Sequence, residues 1–353
     1  MKQYNVIIWG LGNVGRSALD HVLTKKELVL VGAYDVDPAK VGKDAGEIFG
    51  FETTGVIVSN DREAVMNTEA DVVLYYAPQQ YDSMIMTQEH MTGTCDEICE
   101  LLSHGKNLIT TCCMYHSDKL APAIYKKIDD TAKAAGVTYV QQGIFPGLFN
   151  PYLPVVLGMG ARRIESVTVS GGEPDELNTA PWAAMLYFGK TLEEADANLM
   201  NGINTRFLCD YGGTVQEIAD RLGLDYDDYQ QSHDIILSDR DYDTKNPLFG
   251  VVKKGTIGAH RLNMAVTKDG KEVVSFHFTH KASRNILPEL DLDFKIDIKA
   301  ENHVVANIEG FLPEYCDVFL TSAAPSVNLI PAVVAAEPGY KGALDVAPGY
   351  LSR

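Results

Sequence analysis

Three glycines between an apolar run and a helix-forming stretch restrict the fold of this chain more than any other feature. Val6-Ile7-Ile8-Trp9 leads directly into Gly10-Leu11-Gly12-Asn13-Val14-Gly15, and helix-forming residues follow from Arg16 to Leu23. A second apolar run, Leu28 to Tyr34, ends at Asp35, twenty positions after Gly15. A strand, a glycine turn, a helix and a second strand ending in an acid are the parts that hold a dinucleotide. Gly10 permits the tight turn, Gly12 lets a pyrophosphate approach the backbone, and Gly15 lets the helix pack close to the strand. The free N–H groups and dipole at the helix start then face the phosphates. Gly10, Leu11, Gly12, Asn13, Val14 and Gly15 are therefore the expected cofactor-binding residues. Asp35 would accept from ribose hydroxyls and repel a 2′-phosphate, which favours NAD and leaves NADP possible. Asp37, two residues on, is the alternative acid.

The chain has 353 residues, enough for two domains and a large core. Hydrophobic residues make up 46% and charged residues 22%, the balance of a globular protein rather than a disordered one. A net charge of −18 argues against nucleic acid and anionic membranes as partners. No apolar stretch approaches the ~20 residues of a membrane span. The first strand begins by residue 5, so no signal peptide is expected and the cytoplasm is the expected compartment. Six cysteines, at positions 95, 99, 112, 113, 209 and 316, form no zinc pattern, and reduced thiols with no metal site are expected.

Up to residue 150 apolar runs alternate with amphipathic stretches. Strands are expected at Asn5–Trp9, Leu28–Tyr34, Gly55–Val58, Asp71–Tyr76, Asn107–Thr111 and Val137–Gln141, and helices at Gly15–Thr24, Asp61–Asn67, Thr94–His104 and Ser117–Ala135. The fold class this implies is α/β, an N-terminal Rossmann-type doubly wound parallel sheet covered on both faces. Prolines 146 and 151 and Gly147 interrupt the pattern and mark a hinge. From 151 to 321 an α+β domain is expected, with a helix at Tyr152–Met159 and an antiparallel or mixed sheet for substrate binding and dimerisation. Its strands are Arg163–Ser170, Thr256–Val266, Lys271–His280, Leu292–Ala300 and His303–Glu309, with a hairpin turn at Lys268-Asp269-Gly270. Asn178–Tyr187, Thr191–Met200 and Thr214–Leu222 read as helices, and 224–247 as a loop or short helix. The apolar tail from about 322 is expected to return and complete the first domain.

Ligands on parallel sheets bind past the carboxyl ends of the strands. Ala77 and Pro78, after the third main strand, are expected to contact the cofactor. Thr111 and Cys112, after the next one, are expected to lie beside the nicotinamide, followed by Tyr115 and His116, which can move protons near neutral pH. Phe145, Phe149 and Asn150 would line an apolar substrate cleft. Glu173 is the carboxylate expected to face that cleft from the second domain.

The start Val6 to Arg16 resembles the dihydrodipicolinate reductase-like oxidoreductases, a group that includes 2,4-diaminopentanoate dehydrogenase and the native amine dehydrogenases. Val41-Gly42-Lys43-Asp44-Ala45-Gly46, Gly105 to Thr111, Gly143 to Gly147 and the tail Pro325-Ser326-Val327-Asn328-Leu329-Ile330-Pro331 carry the same resemblance. It implies a Rossmann domain, a homodimer formed through the second sheet, Asn328 near the cofactor, and hydride transfer to or from a C=N or C=O carbon. Two departures stand out. Amine dehydrogenases of this kind carry a glutamate just after the strand that here ends at Thr111, where this chain has Cys112-Cys113-Met114. Phe145 also replaces the asparagine of the family loop. The His-His and lysine signature of dihydrodipicolinate reductase itself is missing, so its lysine-pathway reaction is not expected.

The expected activity is therefore NAD(P)-dependent oxidoreduction of a small amine/imine or carbonyl/alcohol substrate. A non-catalytic dinucleotide-binding sensor is the alternative, because a Rossmann domain can outlive its chemistry.

Overall fold

The computed structural model describes residues 2–111, 114–309, 318–346 and 351. The chain forms two compact units, one from residues 1–82, 91–152 and 316–353, the other from 83–90 and 153–315.

The first unit opens with β1 (Tyr4–Trp9), α1 (Asn13–Leu23), β2 (Leu28–Tyr34), α2 (Arg62–Met66) and β3 (Val72–Tyr75). It continues through α3 (Thr92–Ser103), β4 (Asn107–Thr110), α4 (Ser117–Leu120), α5 (Pro122–Ala135) and β5 (Thr138–Gln141). Side chains alternate between the two faces of each strand. Val6, Ile8, Leu74, Ile109 and Val140 point to one face, where Ala18, Leu19 and Val22 of α1 cover them. Ile7, Trp9, Val73, Tyr75, Leu108 and Tyr139 point to the other, under Ile98 and Leu102 of α3 and Ile128 of α5. Burial on both faces explains why these strands read as continuous apolar runs. Each fully buried large side chain contributes about 1.5–3 kcal/mol to this double core.

Two expectations for this unit change. Residues 55–58 form no strand; Ile57 makes an isolated bridge to Asp44, and Ser59 just beyond makes one to Tyr34. The helix expected over 117–135 is two helices, because the residue before a proline is pushed out of the helical region; Ala121 sits at φ −149° and Pro122 starts α5.

The second unit contains α6 (Tyr152–Gly158, from its second residue on), β6 (Ile164–Pro174), α7 (Ala197–Leu222), β7 (Asp228–Leu237) and a small hairpin of β8 (Tyr242–Asp243) and β9 (Val251–Val252). β10 (Ile257–Lys268), β11 (Lys271–Lys281), β12 (Lys295–Ala300) and β13 (Val304–Asn307) follow. The main sheet has the order β13-β12-β6-β11-β10-β7. It is mixed rather than purely antiparallel, since β6 and β11 run parallel. Asp269 and Gly270, both at positive φ, make the tight β10–β11 hairpin.

α7 corrects the expectation of two separate helices around 191–222. Asp196 caps it through Asn198 and Leu199 N–H, and Gly223 ends it at φ +66°. Its internal Gly212 serves close packing: a Cβ there would lie 2.0 Å from the Tyr229 hydroxyl. Residues 228–237, expected as loop or helix, form the edge strand β7. An edge strand with much of its surface in solvent carries the polar sequence that hid it. Residues 181–186 form a 3₁₀ turn, and 191–196 are not helical.

The tail returns to the first unit as α8 (Val318–Asn328), α9 (Ile330–Ala335) and β14 (Gly339–Lys341). Val327, Ile330 and Val333 join the core face under α1. β14 pairs parallel with β5, so the sheet runs β14-β5-β4-β3-β1-β2, all parallel. No helix among the described residues is long and apolar enough to cross a membrane.

Candidate functional site

The glycine loop is shaped by three close approaches and one opening. Gly10 holds φ +97°, and a Cβ there would fall 2.8 Å from the Ala77 nitrogen and the Tyr76 carbonyl carbon. A Cβ on Gly15 would lie 2.0 Å from the Gly10 oxygen, so only glycine lets α1 pack this close to β1. At Gly12 the same test meets nothing within 4 Å among the described residues. Gly12 and Asn13 are exposed, Val14 half-buried, and Leu11 and Gly15 buried. α1 begins after Gly12 with no side-chain cap and no acid in its first turn. Open space in front of uncapped helical N–H groups suits a pyrophosphate, so these residues fit a dinucleotide.

Asp35 stands beside this loop. Its Oδ2 accepts from Leu11 N–H at 2.9 Å and from Lys40 Nζ at 3.0 Å, and its Oδ1 accepts from Asp37 N–H at 2.8 Å. Burial alone would raise this carboxyl, but those three hydrogen bonds outweigh it and hold Asp35 below the usual carboxylate range. Lys40 also lies 3.5 Å from Asp37.

At the exit of β3, Ala77 packs by its backbone against Gly10, and Pro78 is exposed. Tyr76 shares a 2.6 Å hydrogen bond with the buried Ser326 hydroxyl, tying the tail to the end of β3. Sequence reasoning missed this pair, which is separated by 250 positions. Asn328, expected near the cofactor, accepts through Oδ1 from His21 Nε2 at 3.2 Å and so links α8 to α1.

Thr111 is partly exposed at the exit of β4, next to Gly143. Cys112 lies outside the described residues. Tyr115 is buried, and His116 occupies the left-handed region at φ +54° with Nδ1 3.4 Å from Asp118. The loop after β5 folds back on itself: Leu148 N–H bonds to Gly143 O, Phe149 N–H to Ile144 O, and Gly147 N–H to Asn150 O. Phe149 and Asn150 are fully buried, and Phe145 keeps part of its surface.

Glu173 lies in the second unit, within β6 rather than past a strand ending at 170. It faces Asp175 and His280, and one ligand-type atom from each lies within 4.8 Å of the others. Asp175 Oδ2 accepts from His280 Nδ1 at 3.0 Å, and both residues are buried. Burial would lower His280, but the charge and hydrogen bond of Asp175, with Glu173 behind them, raise it above the ordinary histidine value. Burial, reinforced by the Asp175 charge and opposed by His280, pushes Glu173 up to about 7. Asp175 and His280 Nδ1 thus hold each other, while among the described residues nothing hydrogen-bonds His280 Nε2. Sequence reasoning found Glu173 and missed its two partners.

Residues 4–87 match the family model for the dihydrodipicolinate reductase N-terminus, and residues 187–349 match that for the 2,4-diaminopentanoate dehydrogenase C-terminal domain. The chain is 23% identical to an amine dehydrogenase of Streptomyces virginiae, over 99% of both chains. It is 24% identical to a 2,4-diaminopentanoate dehydrogenase of Acetoanaerobium sticklandii, over 98% of this chain and 94% of that one. The structure of an amine dehydrogenase from Mycobacterium smegmatis superposes with a TM-score of 0.77 at 19% identity, covering 99% of this chain and 97% of that chain.

A Rossmann sheet with an intact glycine loop, joined to a mixed-sheet second unit, defines an NAD(P)-dependent oxidoreductase that uses a nicotinamide dinucleotide. The two matched regions and the relatives are consistent with a dihydrodipicolinate reductase-like oxidoreductase. Its relatives are dehydrogenases along its whole length, and none supports the non-catalytic sensor.

Proposed function

We propose that this protein is an amine dehydrogenase that uses NAD in preference to NADP and interconverts a small primary amine with its imine. The observation that carries the cofactor half is Asp35, fixed by Leu11 and Lys40 next to the opening at Gly12. Relatives named for amine substrates support the substrate half. The bound nicotinamide would supply or take up the hydride. Gly10 to Gly15 would hold the pyrophosphate on helix N–H groups, Asp35 would bind the adenosine ribose, and Ala77, Pro78, Thr111, Cys112 and Asn328 would flank the cofactor. Phe145, Phe149 and Asn150 would shape the substrate cleft. Tyr115, His116 and Glu173 are the candidates for proton transfer, because amine oxidation requires the substrate ammonium to lose a proton before hydride leaves its carbon. Homodimerisation through the second sheet belongs to the same reading.

The test is cofactor reduction by the purified protein with panels of primary amines and of alcohols, each with NAD⁺ and NADP⁺. Amine-dependent reduction, faster with NAD⁺, is expected. Turnover of alcohols alone, or of no substrate, would overturn it.

A further inference from the structure

A carboxylate has about four acceptor positions, and three of those on Asp35 are taken. Oδ2 accepts from Leu11 N–H at 2.9 Å and from Lys40 Nζ at 3.0 Å, and Oδ1 accepts from Asp37 N–H at 2.8 Å. Two of these donors are backbone groups, and the third is the end of a flexible side chain. An acid that receives both hydroxyls of a ribose needs two open positions. Asp35 has one while Lys40 stays in place, so Lys40 is the donor that has to yield.

The turn after β2 brings Lys40 to this point. Asp37 Oδ1 accepts from Ala39 N–H at 2.9 Å. The Asp37 carbonyl accepts from Lys40 N–H at 2.9 Å and from Val41 N–H at 3.1 Å. One turn of chain thus carries the side chain back over two acids, with its ammonium 3.0 Å from Asp35 and 3.5 Å from Asp37. The turn is anchored beyond Lys40 as well: Gly42 N–H bonds to Val58 O, and Val58 N–H to Lys43 O. The backbone is therefore held, and the Lys40 side chain, 23% exposed, is the part free to swing.

Lys40 also lines a hollow of about 920 Å³, shared with Asp37, Lys43, Asp44 and Glu47. A phosphate group and a relocated ammonium both fit in such a space. Asp44 is engaged by the N–H groups of Gly46, Thr54 and Gly55, and Glu47 accepts from the Thr53 hydroxyl at 2.6 Å. Lys40 and Lys43 are the cations of the hollow, and its acids still outnumber them. A 2′-phosphate is then tolerated at this place rather than preferred.

We propose that Lys40 is a specificity-determining residue that keeps NADP usable by this chain. With NAD its ammonium shifts onto Asp37 and leaves Asp35 to the ribose hydroxyls; with NADP it passes to the 2′-phosphate. The inference rests on the reading of Asp35 as the ribose-binding acid. It concerns residues of the first unit alone. A lysine suits the exchange, because a point charge on a flexible stem can change partners without a fixed geometry. Without Lys40 the phosphate would face Asp35 and Asp37 with the local charge at −2 instead of −1.

The experiment measures dissociation constants of the full-length protein for NAD⁺, NADP⁺, AMP and 2′,5′-ADP, which is AMP carrying the extra phosphate. Calorimetric titration reads them, with thermal unfolding as the control for folding. In the wild type NAD⁺ should bind more tightly than NADP⁺. Lys40→Met keeps the stem and removes the charge. It should weaken NADP⁺ and 2′,5′-ADP by at least about tenfold and alter NAD⁺ and AMP by less than about threefold. Lys40→Arg should return phosphate binding to within about threefold of wild type. In an Asp35→Asn background Lys40→Met should still weaken 2′,5′-ADP by about fivefold or more, because the ammonium meets the phosphate itself. Equal weakening of NAD⁺ and NADP⁺, no change in either, or a loss that vanishes in the Asp35→Asn background would overturn the proposal while leaving Asp35 as the ribose acid. A wild type that binds NADP⁺ more tightly than NAD⁺ would overturn the preference for NAD, and a ratio that still moves toward NAD⁺ in Lys40→Met would uphold Lys40.

Discussion

The Asp35 carboxylate accepts a hydrogen bond from the Leu11 N–H at 2.9 Å. That bond joins the end of β2 to the middle of the glycine loop, so the proposed ribose-binding acid and the proposed phosphate cradle are set by one contact. Lys40 closes the arrangement from the other side of the same oxygen.

Cofactor choice should respond to this contact. Asp35→Ser removes the negative charge and releases Lys40 toward a 2′-phosphate. The ratio of NAD to NADP affinity should fall by at least about tenfold, or ~1.4 kcal/mol, as measured by fluorescence titration. An unchanged ratio would assign the preference elsewhere.

Two glycines in the loop should behave in opposite ways. Gly15→Ala forces a methyl group to within 2.0 Å of the Gly10 carbonyl and should cost about 2–4 kcal/mol in denaturant unfolding. Gly12→Ala meets no protein atom within 4 Å among the described residues. Its stability should stay within about 1 kcal/mol of wild type, while dinucleotide affinity drops at least about tenfold, because the methyl occupies the opening. Equal effects on folding at both positions would contradict this division.

Asp44 should govern acid stability in the first unit. It accepts from the N–H groups of Gly46, Thr54 and Gly55 and from the Thr54 hydroxyl. Burial opposes ionisation, yet these hydrogen bonds lower the carboxyl to about 2. A depressed carboxyl stabilises the fold above its unfolded value near 4 and loses that contribution as pH falls toward 2. Asp44→Asn should therefore cost about 2 kcal/mol at pH 7 and progressively less between pH 4 and 2. Unfolding of both proteins across that range is the check.

Glu173 carries the opposite sign. Its folded value, about 7, lies above the ordinary glutamate value, so the folded protein binds the extra proton. Stability contributed by this group is present below about pH 4.5 and is lost as pH rises through 7. Glu173→Gln should be more stable than wild type at pH 8, by about 1–2 kcal/mol after allowing for solvent screening. The two proteins should converge at pH 4. Calorimetry at both pH values reads this effect without any substrate.

Much of the first unit was legible because its strands are buried on both faces and its helices on one. The break at Pro122 followed from a local rule that the amphipathic pattern had masked. In the second unit, α7 spans what the sequence divided into two helices, and Gly202 and Gly212 within it admit Met84 and Tyr229 close to the helix. β7 was hidden because an edge strand need not be apolar. Glu173 could be picked out as an acid near a strand end. Its partner His280 is 107 positions away and is brought beside it only by the parallel pairing of β6 and β11, which no local pattern announces.

The placement of α8, α9 and β14 has a consequence for synthesis. Strands β1 to β5, translated before the second unit, belong to a sheet that takes part of one face and one edge from residues 318–341. Until those residues emerge, Val6, Ile8, Leu74 and Ile109 lack part of their cover. The main sheet of the second unit is by then fully translated, as its last strand ends at Asn307. The nucleotide-binding unit thus begins before the second unit in the chain and is completed after it. Its exposed nascent sheet is the stage at which this chain is most open to chaperones and to aggregation.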